Sequence, residues 1–206
     1  MIKKNMSKIK ENFDSIFVDI KELLSVAVKD RDHLFHTPIF SNNSKKNSVE
    51  SRVVVIRSFD PKNLILNFHT DLRSPKIESL KSNNLSSLLF YDPKIRTQLR
   101  IKTVSTINNN NEIAKDAWKL TQLSSRKCYL TKRPPSTNTS RAEDGIPKHL
   151  TGVNPSIEES ENGYKNFAVI QNKILNIDWL HLASSGHRRL SITFKNNDPI
   201  FNWLIP

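Results

Sequence analysis

The twenty residues SRVVVIRSFDPKNLILNFHT, positions 51–70, constrain the fold more than any other stretch. β-Branched residues crowd the first run, DPKN supplies turn residues, and LILNFHT returns with apolar and polar positions alternating. Two such runs around a short turn read as an antiparallel hairpin. The same grammar recurs along the chain. LSSLLFYD (85–92) and RTQLRIKTVSTI (96–107) meet at a DPK turn, with a further short strand at 37–41. A strand pair is expected within 164–182, and HRRLSITF (187–194) forms one more strand before the end at FNWLIP. About seven strands in consecutive hairpins imply an antiparallel sheet. They are enough to close into a barrel, which removes vulnerable edges.

Helical spacing appears in three places. Ile9, Phe13, Ile16, Phe17, Ile20, Leu23, Leu24 and Val28 predict an amphipathic packing helix over 7–28, within an N-terminal segment 1–30. SPKIESLKSN (74–83) predicts a short helix with Ser74 at the N-cap and Pro75 at the first helical position. NEIAKDAWKLTQLSSRKCYL (111–130) reads as helical, and 131–163 as a long loop of the kind that is usually functional or mobile. No internal repeat is present, and one domain over 1–206 is expected.

Composition narrows the class. With 206 residues, 36% of them hydrophobic and 25% charged, the chain can bury a proper core as a soluble protein. No run of about 18 apolar residues exists, so no membrane span is expected. The charged N-terminus lacks the apolar centre of a secretory signal. Cys128 is the single cysteine, so no internal disulfide and no cysteine-based zinc site is expected, and a reducing cytoplasm is the simplest home. His33 and His36 are too isolated for a metal site. The net charge of +12 favours anions: nucleic acid, acidic surfaces or phosphorylated small molecules. Its lysines are scattered, and the aromatics sit in apolar strand patterns instead of alternating with cations, which argues against nucleic acid.

Three stretches carry candidate chemistry. In FHTDLRSPK (68–76), Thr70 and Ser74 offer hydroxyls, the helix start offers backbone N–H groups, and Arg73 and Lys76 add charge. The stretch is either a surface turn or an anion site. In RVVVIR, Arg52 and Arg57 are five apart, so strand alternation puts them on opposite faces unless one reaches round a strand end. In TQLRI, Gln98 is either a solvent-facing residue or an amide able to donate and accept toward a ring of mixed polarity.

In this order and spacing, RVVVIR, FHTDLRSPK, LLFYD and QLRI, followed by YLTKRPPS and WLHLASSGHRRL, resemble the FMN-binding core of the pyridoxamine 5'-phosphate oxidase-related proteins. The resemblance covers 51–206. It implies a mainly β (α+β) split barrel of antiparallel strands with an N-terminal helix and short connecting helices, assembled as a homodimer with FMN at the interface. It also implies that Arg52 and Lys76, with Ser74, meet the FMN phosphate, that His69 and Thr70 lie beside the flavin, and that Gln98 faces the isoalloxazine edge. Trp179 and Arg189 would reach the flavin from the partner subunit. Arg57, Tyr129, Arg133 and Ser136 match the oxidase's grip on its substrate phosphate. A His-Arg pair that holds the oxidase's vitamin substrate is replaced here by Ser184 and Ser185, and Pro75 stands where the oxidase has a basic residue. The resemblance therefore implies an FMN-dependent oxidoreductase of unassigned substrate. Alternatives are the true oxidase or a non-catalytic split-barrel protein binding FMN or haem. No catalytic side chain is assigned, although His187 is the best acid–base candidate.

Overall fold

A computed structural model describes residues 12–45 and 48–206. Residues 7–11 of the expected N-terminal helix lie outside them. Helix α1 (Phe13–Lys29) starts at Asn12, whose side chain accepts from Ser15 N at 2.9 Å and satisfies an otherwise unpaired first-turn amide. Its stripe of Ile16, Phe17, Ile20, Leu24 and Ala27 is buried. Phe13 stacks on Phe201 at 5.2 Å, and Phe17 meets Phe194 at 5.8 Å. The helix thus plugs the sheet as its periodicity requires.

The strands are β1 (Ile39–Asn43), β2 (Val49–Val53), β3 (Ile56–Asp60), β4 (Ile65–Asp71), β5 (Leu85–Asp92), β6 (Thr97–Asn108), β7 (Phe167–His181), β8 (Arg188–Lys195) and β9 (Asp198–Leu204). Helix α2 (Pro75–Ser82) joins β4 to β5. Helices α3 (Glu112–Leu120), α4 (Leu123–Arg126) and α5 (Ile157–Glu161) lie between β6 and β7. All ladders are antiparallel, in the order β2-β1-β5-β6-β7-β4-β3, with β8 on β7 and β9 on β8.

Two strand expectations need correction. The run 51–59 is not one strand. It breaks at Val54 and Val55, so β2 pairs with β1 while β3 pairs with β4. The two open ends of the sheet are therefore consecutive in sequence. No ladder joins them, and the expected closed barrel is instead an open sheet whose seam is spanned by the chain itself, with Val54 N donating to Pro38 O at 3.0 Å. The second correction is that 164–182 holds one long strand, not a pair. Residues 167–173 of β7 pair with β4, and 176–181 pair with β8. The change of partner coincides with a register shift against β6, where Lys102 faces Asn176 and Thr103 faces Ile174, leaving Leu175 as the extra residue. A bulge bends a strand and raises its twist, which lets one neighbour leave as another enters.

The inner face of this sheet, with α1, holds the main core, including Phe40, Phe68, Phe90, Leu99, Ile170 and Leu190. A second cluster of Ala114, Trp118, Tyr129, Phe167 and Val169 covers the outer face where β7 begins. The expected helix 111–130 is interrupted at Thr121, the C-cap of α3, whose hydroxyl donates to Ala117 O at 2.8 Å. Buried Arg126 ties the pieces together, donating to Trp118 O at 2.8 Å, Thr121 O at 3.0 Å and Glu161 at 2.7 Å.

Candidate functional site

Ser74 precedes α2 and Pro75 takes its first position, as the sequence predicts. The Ser74 hydroxyl does not cap the helix. It accepts instead from Lys76 Nζ at 2.7 Å, and Thr70 Oγ1 accepts from the same ammonium at 2.9 Å. Both acceptors are neutral, and both side chains are buried. Burial, and then the charge of Arg52, lower the Lys76 pKa to about 8, against weaker support from Asp71 and Glu50. Arg52 arrives from β2 with its guanidinium 5.7 Å from the Phe40 ring centroid, paired with Glu50 at 2.9 Å and with Asn42. Burial holds its pKa down as well. Two desolvated cations thus converge at one end of the sheet, where an added anion would relieve both.

Arg73 does not join them. Its guanidinium grips Asp71 at 2.6 Å and crosses to Thr131, donating to the carbonyl at 2.9 Å and the hydroxyl at 2.9 Å. The charge expected at the anion site is spent on anchoring the start of the long loop to the end of β4.

Adjacent residues His69 and Thr70 diverge. Thr70 lies on the inner face with Phe68, whereas His69 lies on the outer face opposite Val169. There the His69 ring meets Phe167 edge-on at 4.8 Å, and Tyr129 meets the same ring at 5.1 Å. Arg57 completes this group. It is the extra residue of a bulge between Ile56, which faces Phe68, and Ser58, which faces Asn67. The bulge re-aims the side chain, so the alternation argument for Arg52 and Arg57 does not apply: they stand on separate strands. Desolvation, then the Arg57 charge, lower the His69 pKa to about 4. Burial pushes the Tyr129 hydroxyl up, against a smaller lowering by Arg57. The imidazole and phenol are both neutral at neutral pH.

Gln98 stands in one cross-strand row with Tyr91, Leu180 and Arg189. Arg189 is held by Asp178, with Nε to Oδ1 at 3.1 Å and Nη2 to Oδ2 at 2.9 Å, and Arg100 shares that carboxylate at 2.6 Å. The hydrogen bonds to Asp178 raise the Arg189 pKa. Trp179 projects to the opposite, inner face, where it joins the core and stacks on His181 at 5.9 Å. Arg133 is exposed and paired with Glu143, and Ser136 is exposed with φ 69°. His187 Nδ1 accepts from Ala183 N at 3.1 Å and so shapes the turn after β7, where Ser184 and Ser185 are exposed. His149 in the long loop pairs with Glu159.

Glu50, Asp71, Phe167 and Asp178 tune these groups and were not singled out by sequence reasoning. Only Asp71 carried a local signal, its place inside HTDLRSPK; the others depend on strand register. A cleft of about 410 Å³ shares Trp118 and Tyr164 with the outer aromatic cluster. Glu112, Glu161, Lys115 and Lys119 line it with balanced charge, so it has no net pull on an anion. Among the described residues, no cluster of three or more His, Cys, Asp or Glu could hold a metal, and no helix is long and apolar enough to cross a membrane.

Residues 20–109, which include Arg52, Arg57, His69, Thr70, Ser74, Lys76 and Gln98, match the family model described as pyridoxamine 5'-phosphate oxidase, FMN-binding domain. The match covers less than half of this chain. Pyridoxine/pyridoxamine 5'-phosphate oxidase 2 of Arabidopsis thaliana is 30% identical over 125 residues, 56% of this chain and 63% of that protein. The match therefore spans less than two thirds of the curated relative. Among solved structures, a pyridoxamine 5'-phosphate oxidase-related, FMN binding protein from Nostoc punctiforme superposes with a TM-score of 0.70 at 15% identity, covering 97% of this chain and 100% of that one. PhzG from Burkholderia lata, in complex with tetrahydrophenazine-1-carboxylic acid, gives 0.69 at 15% identity, covering 97% and 98%. At that identity these likenesses establish the fold alone.

Proposed function

We propose that the chain is an FMN-binding flavoprotein and, through its flavin, an FMN-dependent oxidoreductase related to pyridoxamine 5'-phosphate oxidase. The observation that carries this reading is Lys76: a half-buried ammonium beside a second cation, at a helix start, whose Nζ donates to two neutral hydroxyls, those of Thr70 and Ser74. A phosphomonoester supplies the charge that this donor set lacks. Lys76, Arg52, Thr70 and Ser74 hold the FMN phosphate, and Gln98 faces the ring edge.

The flavin supplies the two-electron chemistry. The chain's own residues bind it, orient it and keep water from it. A small phosphorylated substrate is held by Arg57 and Tyr129, joined by Arg133 and Ser136 from the long loop. The protein works as a cytoplasmic homodimer in which Arg189, on the outer face, completes the partner's site. Support for a second copy comes from the outer face of β2, β1 and β5, where Val49, Val53, Ile39, Leu85 and Tyr91 are exposed together.

The true oxidase is the second reading, favoured by the placing of Arg57 beside Tyr129 and disfavoured by Ser184 and Ser185. The deciding experiment for the first claim is reconstitution. Purified protein incubated with FMN and desalted should retain a flavin spectrum, and heat should release FMN and not FAD. A colourless protein after reconstitution would refute the proposal.

A further inference from the structure

The fold separates two cationic centres that the sequence joins in one stretch. Lys76 and Arg52 serve the inner face with Thr70. On the outer face, His69 of β4 and Tyr129 of the 3₁₀ turn Lys127–Leu130 meet the Phe167 ring, and the charge of Arg57, from the bulge of β3, acts on both. We propose that His69 is a ligand-contacting residue of this outer site, not of the flavin, and that the site takes up a proton when it takes an anion. The inference rests on the reading above that Arg57 and Tyr129 hold a phosphorylated substrate.

The physical argument is one of charge. His69 is half-buried against Phe167 and feels the charge of exposed Arg57; Tyr129, on the other side of that ring, is neutral, and Asp71, which acts on Tyr129, is already matched by Arg73. With the site empty, a proton on the imidazole meets both desolvation and repulsion. An anion seated on Arg57 cancels the repulsion and adds an attraction, so protonation becomes favourable at higher pH. By linkage the anion then binds more tightly as the solution is acidified. A ligand with a phosphate or sulfonate head and no competing cation fits the site.

The test uses FMN-loaded protein, so that the Lys76 centre is already filled, and inorganic sulfate, whose charge does not change between pH 5 and 7.5. Ring nitrogens of the histidines are followed by NMR, with His69→Gln assigning the signal. Sulfate should raise the His69 titration midpoint, and sulfate affinity should rise about fourfold from pH 7.5 to pH 5 in the natural protein but less than twofold in His69→Gln. Sulfate that binds without moving the His69 midpoint, or no sulfate binding at all, overturns the inference while leaving FMN binding intact. Failure to load FMN overturns the proposed function and this site with it.

Discussion

Lys76 reaches back over the first turn of its own helix to the Ser74 hydroxyl at 2.7 Å. Lys81, in the same helix, is exposed and pairs with Glu78 at 2.8 Å. Charge-assisted contacts to a phosphate are worth about 1.5–3 kcal/mol, and an exposed pair contributes little. Lys76→Ala should therefore weaken FMN binding by roughly 10- to 100-fold, and Lys81→Ala by less than about twofold. Fluorescence-quenching titrations give both values, and equal losses would show that the phosphate lies elsewhere.

His69 also makes stability depend on pH. Its folded pKa, about 4, lies below the ordinary 6.5. Between these values the unfolded chain binds the extra proton, so stability is full above about pH 6.5 and declines as pH falls toward 4. One pKa unit corresponds to about 1.4 kcal/mol, so the decline attributable to His69 is on the order of 2–3 kcal/mol. Urea denaturation at pH 7 and pH 4.5 should show a smaller acid loss in His69→Gln than in the natural protein. The same loss in both would remove His69 as the cause.

If each flavin site draws on both subunits, two inactive variants should rescue one another. Lys76→Ala and Arg189→Ala proteins, mixed under subunit exchange, restore one intact site per mixed dimer. FMN binding should then return to roughly half a site per dimer's two. Confirmed exchange without recovery would place Lys76 and Arg189 in the same chain's site, or Arg189 in none.

Pyridoxal phosphate formation from pyridoxamine 5'-phosphate should be weak. Ser184 and Ser185 are exposed and short, His149 is paired with Glu159, and Arg141 is drawn toward Glu143 at 3.9 Å. Ser184 and Ser185 supply no long cation to hold a pyridine ring, and a misplacement of about 1 Å can cost roughly 100-fold in rate. The double substitution Ser184→His with Ser185→Arg should raise the rate with FMN and oxygen saturating. Efficient turnover by the natural protein would make the true oxidase the correct reading.

Arg126 tests the scaffold instead of the site. It is buried, and its guanidinium satisfies carbonyls at the end of α3 together with Ser160 and Glu161 of α5. Arg126→Ala strands those carbonyls and should destabilise the fold by about 3 kcal/mol, measured by urea denaturation. A change below about 1 kcal/mol would mean that water replaces the guanidinium without penalty.

The sequence by itself determined the local elements: the β3–β4 hairpin, the apolar stripe of α1, and the Ser74–Pro75 start of α2. These depend on alternation, helical spacing and turn chemistry, which act over a few residues. It also held the ordered motifs that identify the FMN-binding segment. Tertiary structure decided the rest. The run through Val54 and Val55 is apolar enough for one strand, and only the competing partners β1 and β4 divide it. The length of β7 follows from its bulge at Leu175, which no local pattern announces. Charge assignment was least legible of all. Arg73 and Lys76 look alike in HTDLRSPK, yet Arg73 is within reach of Asp71 and Thr131 while Lys76 faces neutral hydroxyls. His69 and Thr70 are neighbours in the chain, but the pleat of β4 sends them to opposite faces, into two different electrostatic environments. Which cation is neutralised and which awaits a ligand depends on distances across strands, and those exist only after the sheet has formed.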